Sequence, residues 1–185
     1  MIFTESELNG AFLIDMEKIE DPRGFFARTW CQRDFERHGI FFQPVQCNVS
    51  HNKSKGVLRG MHYQSAPHQE AKLVWCIKGG IHDVIIDLRP LSPTFMQHLS
   101  VVLTAENRRM LFIPEGFAHG FQTLQNESEI FYQMSEFYTP EFAKGVRWND
   151  PVFGIQWPTD ERLISDRDQS YSDFILPQTD ENQKH

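Results

Sequence analysis

The chain has 185 residues, of which 40% are hydrophobic and 23% charged, and its formal net charge is −7. That length suits one domain with a sizeable core, here expected to span residues 1–185, and the composition is that of an ordinary globule. The acidic balance excludes a nucleic-acid binder that relies on counterion release, although a local group of Arg and Lys can still hold an anionic ligand.

In chain order, the opening Met1-Ile-Phe-Thr-Glu-Ser-Glu7 lacks the basic start and long apolar run of a secretory leader. No later segment reaches the length of a membrane span, so a cytoplasmic protein with no membrane partner is expected. Asp21-Pro22 and Gly24 place Arg23 in a turn, where it either bridges to a surface carboxylate or clamps a phosphate as a fork. The stretch from Thr29 to Gly39 is the best helix candidate, with Thr29 as N-cap and Gly39 as stop. Cys31, Cys47 and Cys76 are odd in number and lack a C-x-x-C spacing, which predicts buried free thiols in a reducing compartment rather than disulfides or structural zinc. Sixteen Phe predict a core filled with rings.

Short strands with turn punctuation then dominate. Gly56-Val-Leu-Arg-Gly-Met-His-Tyr-Gln64 reads as an apolar strand, Val57-Leu58, leading into the polar set Arg59, His62 and Gln64. Lys72 opens the next strand, in which Leu73, Trp75 and Ile77 share one face while Lys72 and Val74 share the other. Gly79-Gly80 reads as a hairpin turn into Ile81 to Leu88, with Val84, Ile86 and Leu88 on one side. Strands are expected at His98 to Thr104, Arg109 to Ile113, Gly120 to Leu124 and Ile130 to Phe137, spaced about 8–12 residues apart as in sandwiches and barrels. The last 25 residues are polar and read as short helical turns and an irregular tail. The fold class is therefore all-β, an antiparallel double-sheet jelly roll with short peripheral helices.

Several residues in this frame carry chemistry. The corner Ile113-Pro-Glu-Gly-Phe-Ala-His119 sends His119 into a strand beside a pocket, and His62 stands about fifty residues earlier in a similar setting. Imidazole is the usual proton carrier near neutral pH and also a common metal ligand. The His-x-His pattern that a metal-binding double-stranded β-helix needs is broken here: His62-Tyr-Gln64 has Gln in the second place, with Glu70 nearby. No metal is therefore expected, and a metal-dependent site on His62 and His119 is the enzyme alternative. A Lys72 inside a barrel marks an oxyanion to be stabilised. Tyr132 shares a face with Ile130 and Met134, as a core ring or as an acid over a substrate. Asp168, in Ile164-Ser-Asp-Arg-Asp168, reads by itself as a tail carboxylate in water. Neither a Walker motif nor G-x-G-x-x-G is present.

These blocks, together with Asp83-Val-Ile-Ile-Asp-Leu-Arg89, Ser92-Pro-Thr94, Gly145-Val-Arg-Trp-Asn-Asp-Pro151 and Trp157-Pro158, resemble the dTDP-4-dehydrorhamnose 3,5-epimerases of the cupin superfamily over nearly the whole chain. The resemblance implies a double-stranded β-helix jelly roll, a homodimer, no cofactor, and epimerisation of a dTDP-4-keto-6-deoxy sugar at C3 and C5. By motif it makes His62 the base, Asp168 its orienting carboxylate, Lys72 the stabiliser of the enolate and Tyr132 the acid. His119 would line the pocket, while Arg23, Gln46, Asn48, Arg59 and Tyr138 would hold the nucleotide diphosphate and base. Relatives that invert one carbon keep the same main residues, so a mono-epimerase is one alternative and a sugar-nucleotide binding module without turnover is another. The chain departs from the family pattern at Arg28, at Ala143 and in the spacing before Gly56.

Overall fold

The computed structural model describes residues 1–176. In chain order the strands are β1 (Ile2–Glu5), β2 (Phe12–Asp15), β3 (Ile19–Asp21), β4 (Gly24–Phe26), β5 (Gln46–Asn52), β6 (Val57–Gln64), β7 (Lys72–Lys78), β8 (Gly80–Asp87), β9 (His98–Thr104), β10 (Met110–Ile113), β11 (Phe117–Thr123), β12 (Ser128–Met134), β13 (Ala143–Gly145) and β14 (Leu163–Ile164). The described residues also form two short α-helices, α1 (Gln32–Arg37) and α2 (Asp166–Gln169).

Two sheets face each other. The first has the order β1-β2-β10-β7-β12-β5 and the second β13-β6-β11-β8-β9, with β14 added in parallel beside β6. The other pairings within the two sheets are antiparallel, giving the jelly roll expected from the strand pattern. Between the sheets lies a core of Val74, Leu111 and Ile130 from the first and Ile81, Ile85 and Leu103 from the second, all buried. Burying each such side chain contributes about 1.5–3 kcal/mol. Alternation sends neighbouring residues outward. Leu73, Met110 and Phe112 meet Phe35 of α1 and Phe42 on the outer face of the first sheet, and Val84, Ile86 and Ala118 lie under Phe153, Trp157 and Phe174 on the second.

Several expectations are corrected. Gly79-Gly80 does not close a hairpin: β7 pairs with β10 and β12, and β8 pairs with β9 and β11. Gly79, at φ +74, carries the chain from one sheet to the other, and a turn residue cannot by itself say which strands it joins. The helix begins at Gln32, not after Thr29, because Cys31 is still extended at φ −155. In the tail, Leu163–Ile164 forms a parallel strand too short to show a pattern; residues 177–185 of that tail lie outside the described part of the chain. Of the three free thiols only Cys76 is buried, its thiol pushed up to about 11, mainly by burial; Cys31 is half-buried and Cys47 exposed. The rings do not all enter the core either: Phe25 and Phe26 stand exposed on the separate β3–β4 ribbon. Among the described residues no helix is long and apolar enough to cross a membrane.

Candidate active site

The inner faces of the sheets are apolar toward one end and polar toward the other. Along β7, Val74 and Cys76 enter the core while Lys72, two residues before Val74, reaches a cavity; along β12, Ile130 is core and Tyr132 and Met134 line the same cavity. The cavity holds about 410 Å³, within the size range of small-ligand sites. The second sheet supplies Arg59 and His62 from β6 and His119 from β11 to the facing wall. Gln46 and Asn48 of β5 edge it on the side of the first sheet, and Tyr138 and Arg167 stand at its margin.

His62 lies within β6 and opposite His119 on β11, not at the end of a strand. The two strands approach closely there because both carry glycine: a Cβ on Gly60 would lie 2.5 Å from the Cα of Gly120, and the register shifts between His119 and Phe121. Asp168 is not in water. It sits in α2, capped by Ser165, with its carboxylate almost fully buried. Its Oδ1 is 2.7 Å from His62 Nε2, and its Oδ2 accepts the Gly60 N–H at 3.1 Å. Burial pushes this carboxyl up. The hydrogen bond and charge of His62, the Gly60 N–H and Ser165 outweigh burial and hold it below the usual carboxylate range. A carboxylate of that kind fixes the histidine tautomer with the proton on Nε2 and leaves Nδ1 free to accept one. The edge of the Tyr171 ring stands against His62, with centroids 6.2 Å apart.

A second histidine–carboxylate pair lies beside the first. His119 Nε2 is 2.9 and 3.0 Å from the two oxygens of the fully buried Asp83 on β8.

On the opposite wall, Lys72 Nζ is 2.7 Å from Glu70 Oε1, and both side chains are nearly inaccessible. Removing one member of such a pair leaves a buried uncompensated charge, at a cost of about 3–5 kcal/mol. Burial pushes the Tyr132 phenol up, with the Arg59 charge acting the other way. The hydroxyl therefore stays protonated through neutral pH, as an acid must.

At the nucleotide end suggested by the resemblance, Arg59 Nε donates to Asn52 Oδ1 at 2.8 Å and the Gln46 amide donates to Asn48 Oδ1 at 3.1 Å. Gln46 Oε1 accepts the Tyr138 N–H, and the Tyr138 hydroxyl lies 3.5 Å from Arg167, which also donates to Tyr171. Gln64, which reads in the sequence as a missing metal ligand, has its amide engaged elsewhere. It accepts the Thr139 N–H at 2.6 Å and donates to the carbonyls of His68 and Phe137, gripping the backbone on both sides of Tyr138. Among the described residues no three His, Cys, Asp or Glu side chains converge as a metal-binding group.

His62, Lys72, Tyr132, His119, Gln46, Asn48, Arg59 and Tyr138 thus surround one cavity, with Asp168 behind His62. Arg23 does not join them. It lies in the turn of the β3–β4 ribbon, 89% exposed, and pairs with Asp21. Four residues with no role assigned from the sequence belong to the site: Glu70, Asp83, Arg167 and Tyr171. For Arg167 the available signal was its place beside Asp168; nothing local marked Tyr171.

Residues 5–175 match the family model described as dTDP-4-dehydrorhamnose 3,5-epimerase. The enzyme of that name from Shigella flexneri is 42% identical over 173 residues, covering 92% of this chain and 94% of its own. Two solved structures share the fold. That of the dTDP-4-dehydrorhamnose 3,5-epimerase of Bacillus anthracis, with TDP and PPi bound, superposes with a TM-score of 0.90 at 37% identity, covering 94% of this chain and 99% of that one. That of the dTDP-6-deoxy-D-glucose-3,5-epimerase of Legionella pneumophila, in complex with dTDP-4-keto-L-rhamnose, gives 0.86 at 35% identity, covering 92% and 90%.

Proposed function

The chain belongs to the dTDP-4-dehydrorhamnose 3,5-epimerase family, a family of isomerases, and from that premise we propose that it converts dTDP-4-dehydro-6-deoxy-D-glucose to dTDP-4-dehydro-L-rhamnose with the residues of this cavity. The observation that carries the reading is the division of chemistry between two walls. A carboxylate-oriented histidine stands on one sheet, and a phenol and an ammonium stand on the other.

The C4 ketone of the sugar acidifies the hydrogens at C3 and C5. His62 Nδ1 takes a proton from one of these carbons, the C–H pair moves toward the carbonyl, and the negative charge collects on O4. Asp168 stabilises the imidazolium so formed. Lys72 stabilises the enolate oxygen in a site that excludes much of the water, where a fixed charge counts for most. Tyr132 returns a proton to the same carbon from the opposite face, which inverts it. The ketone itself supplies the acidity, so these steps need no cofactor. In this reading Arg59 and Arg167, both in the cavity lining, meet the diphosphate as forked donors, and Tyr138, with Gln46 and Asn48, meets the base.

The same reading extends to assembly. The β3–β4 ribbon carries Ile19 and Phe26, 70% and 71% exposed, with Arg23 in its turn. We infer that it packs on a second copy in a homodimer and that Arg23 serves the partner's diphosphate site. Three free thiols suit a reducing cytoplasm.

Incubation with the 4-keto sugar nucleotide in deuterated water, followed by NMR, tests the reaction. Deuterium at both C3 and C5 with formation of the L-sugar is expected. Deuterium at one carbon would make the protein a mono-epimerase, and no exchange would overturn the catalytic reading.

A further inference from the structure

We propose that Glu70 is a positioning residue, a carboxylate that aims and holds the Lys72 ammonium while tying it to the strand that carries the base; the inference rests on the reading of Lys72 as the group that stabilises O4. The two oxygens of Glu70 reach different walls. Oε1 is 2.7 Å from Lys72 Nζ on β7, in the first sheet. Oε2 accepts the N–H of Gln64 at 3.0 Å, on β6 of the second sheet, two residues beyond His62. One buried carboxylate thereby links the cation on one side of the cavity to the strand of the base on the other.

The link matters because of what lysine is. Its ammonium is a compact charge on a flexible four-carbon stem and has no preferred direction of its own. Glu70 occupies one of its three donors and leaves the others for a substrate oxygen. The Glu115 carboxyl is pushed up, first by burial and then by the charges of Glu70 and Glu136. Glutamine at position 70 has nearly the same shape, but its amide presents one acceptor oxygen where the carboxylate presents two, and no charge. It serves Gln64 or Lys72, not both.

The test compares Glu70→Gln, Lys72→Met and the double variant in steady-state turnover of dTDP-4-dehydro-6-deoxy-D-glucose, with dTDP affinity measured separately by calorimetry. Glu70→Gln is expected to lower kcat about 30-fold, somewhat less than the loss of an oxyanion donor itself, with dTDP affinity within about threefold of the parent. The double variant is expected to be no slower than Lys72→Met, because Glu70 acts through Lys72. A Glu70→Gln kcat within about threefold of the parent, or losses that add in the double variant, would overturn the proposal. If Lys72→Met is impaired and Glu70→Gln is not, the role of Glu70 fails while that of Lys72 stands; near-parent turnover in Lys72→Met removes both. Should Glu70→Gln not fold, Glu70→Asp carries the test: it keeps the charge, cannot span both partners, and is expected to lose part of kcat, so parental kcat in that variant overturns the proposal.

Discussion

The cavity is lined by the histidines of two histidine–carboxylate pairs, and their differences match the proposed roles of one as proton carrier and the other as wall. His62 keeps 43% of its side chain accessible, while His119 keeps 11%. The Asp168 that holds His62 comes from α2, 106 residues further along the chain; the Asp83 that holds His119 comes from the adjacent strand, 36 residues earlier. The first pair is short and single, at 2.7 Å, whereas the second is shared between both oxygens of Asp83. In the proposed reaction the base differs by a ring that stays open to the cavity and by a carboxylate brought from a separate element, α2, which is anchored to β6 through β14 and the Gly60 N–H.

The contrast breaks if the wrong pair proves essential. The largest effect is expected from His62→Ala, which should lower kcat by about 10³-fold or more, since general base catalysis contributes on that scale, with dTDP affinity by calorimetry staying within about threefold. Asp168→Asn should follow, at about 10²-fold, because the ring is left in the wrong tautomer without its counter-charge. Asp168 also sharpens the comparison through stability. Its folded-state carboxyl is lowered, so its contribution is full above the unfolded value of about 3.9 and is lost as pH falls through the folded value. Denaturant unfolding should show the parent losing stability relative to Asp168→Asn as pH drops below about 4. His119→Asn should cost about tenfold, as the loss of a pocket contact and not of the base; a loss equal to that of His62→Ala would erase the distinction between the pairs. Tyr171→Phe should have the smallest effect, about twofold in turnover, because it keeps the ring edge against His62 and removes only a hydroxyl bonded to Arg167.

What could be read in advance divides along similar physical lines. Alternation at Leu73, Trp75 and Ile77 marks a strand, although that apolar face is the outer one, with Ile77 exposed, and Val74 and Cys76 face the core. Strand positions and the sheet architecture were therefore legible. Pairing was not. Gly79-Gly80 looks the same whether it closes a hairpin or passes between sheets, and only the strands' distant partners decide. Periodicity put Lys72 on one face with Val74, and Tyr132 on one face with Ile130 and Met134, but did not say that these faces point inward; the structure shows that they do. The contacts made by Asp168 did not, because nothing local to a tail carboxylate says that it will meet a histidine 106 residues away; only the family resemblance indicated that partner. Gln64 shows the opposite failure. Its sequence pattern speaks only to metal ligation, while its bonds to the backbone around Tyr138 depend on a loop more than seventy residues downstream. Arg23 carries a recognisable motif, yet its chain places it on an exposed ribbon and not in the lining of the cavity; the role proposed for it rests on a second copy.

The central claim is that proton removal and proton return come from opposite sheets. The most direct test is Tyr132→Phe with dTDP-4-dehydro-6-deoxy-D-glucose in deuterated water, following deuterium in recovered substrate and epimer formation by NMR in the same sample. The account predicts that epimer formation falls by about 10²-fold while exchange at the first carbon persists within about tenfold of the parent, because His62 still removes and returns a proton on its own face. Equal loss of exchange and of epimerisation would contradict it and reduce Tyr132 to a structural ring.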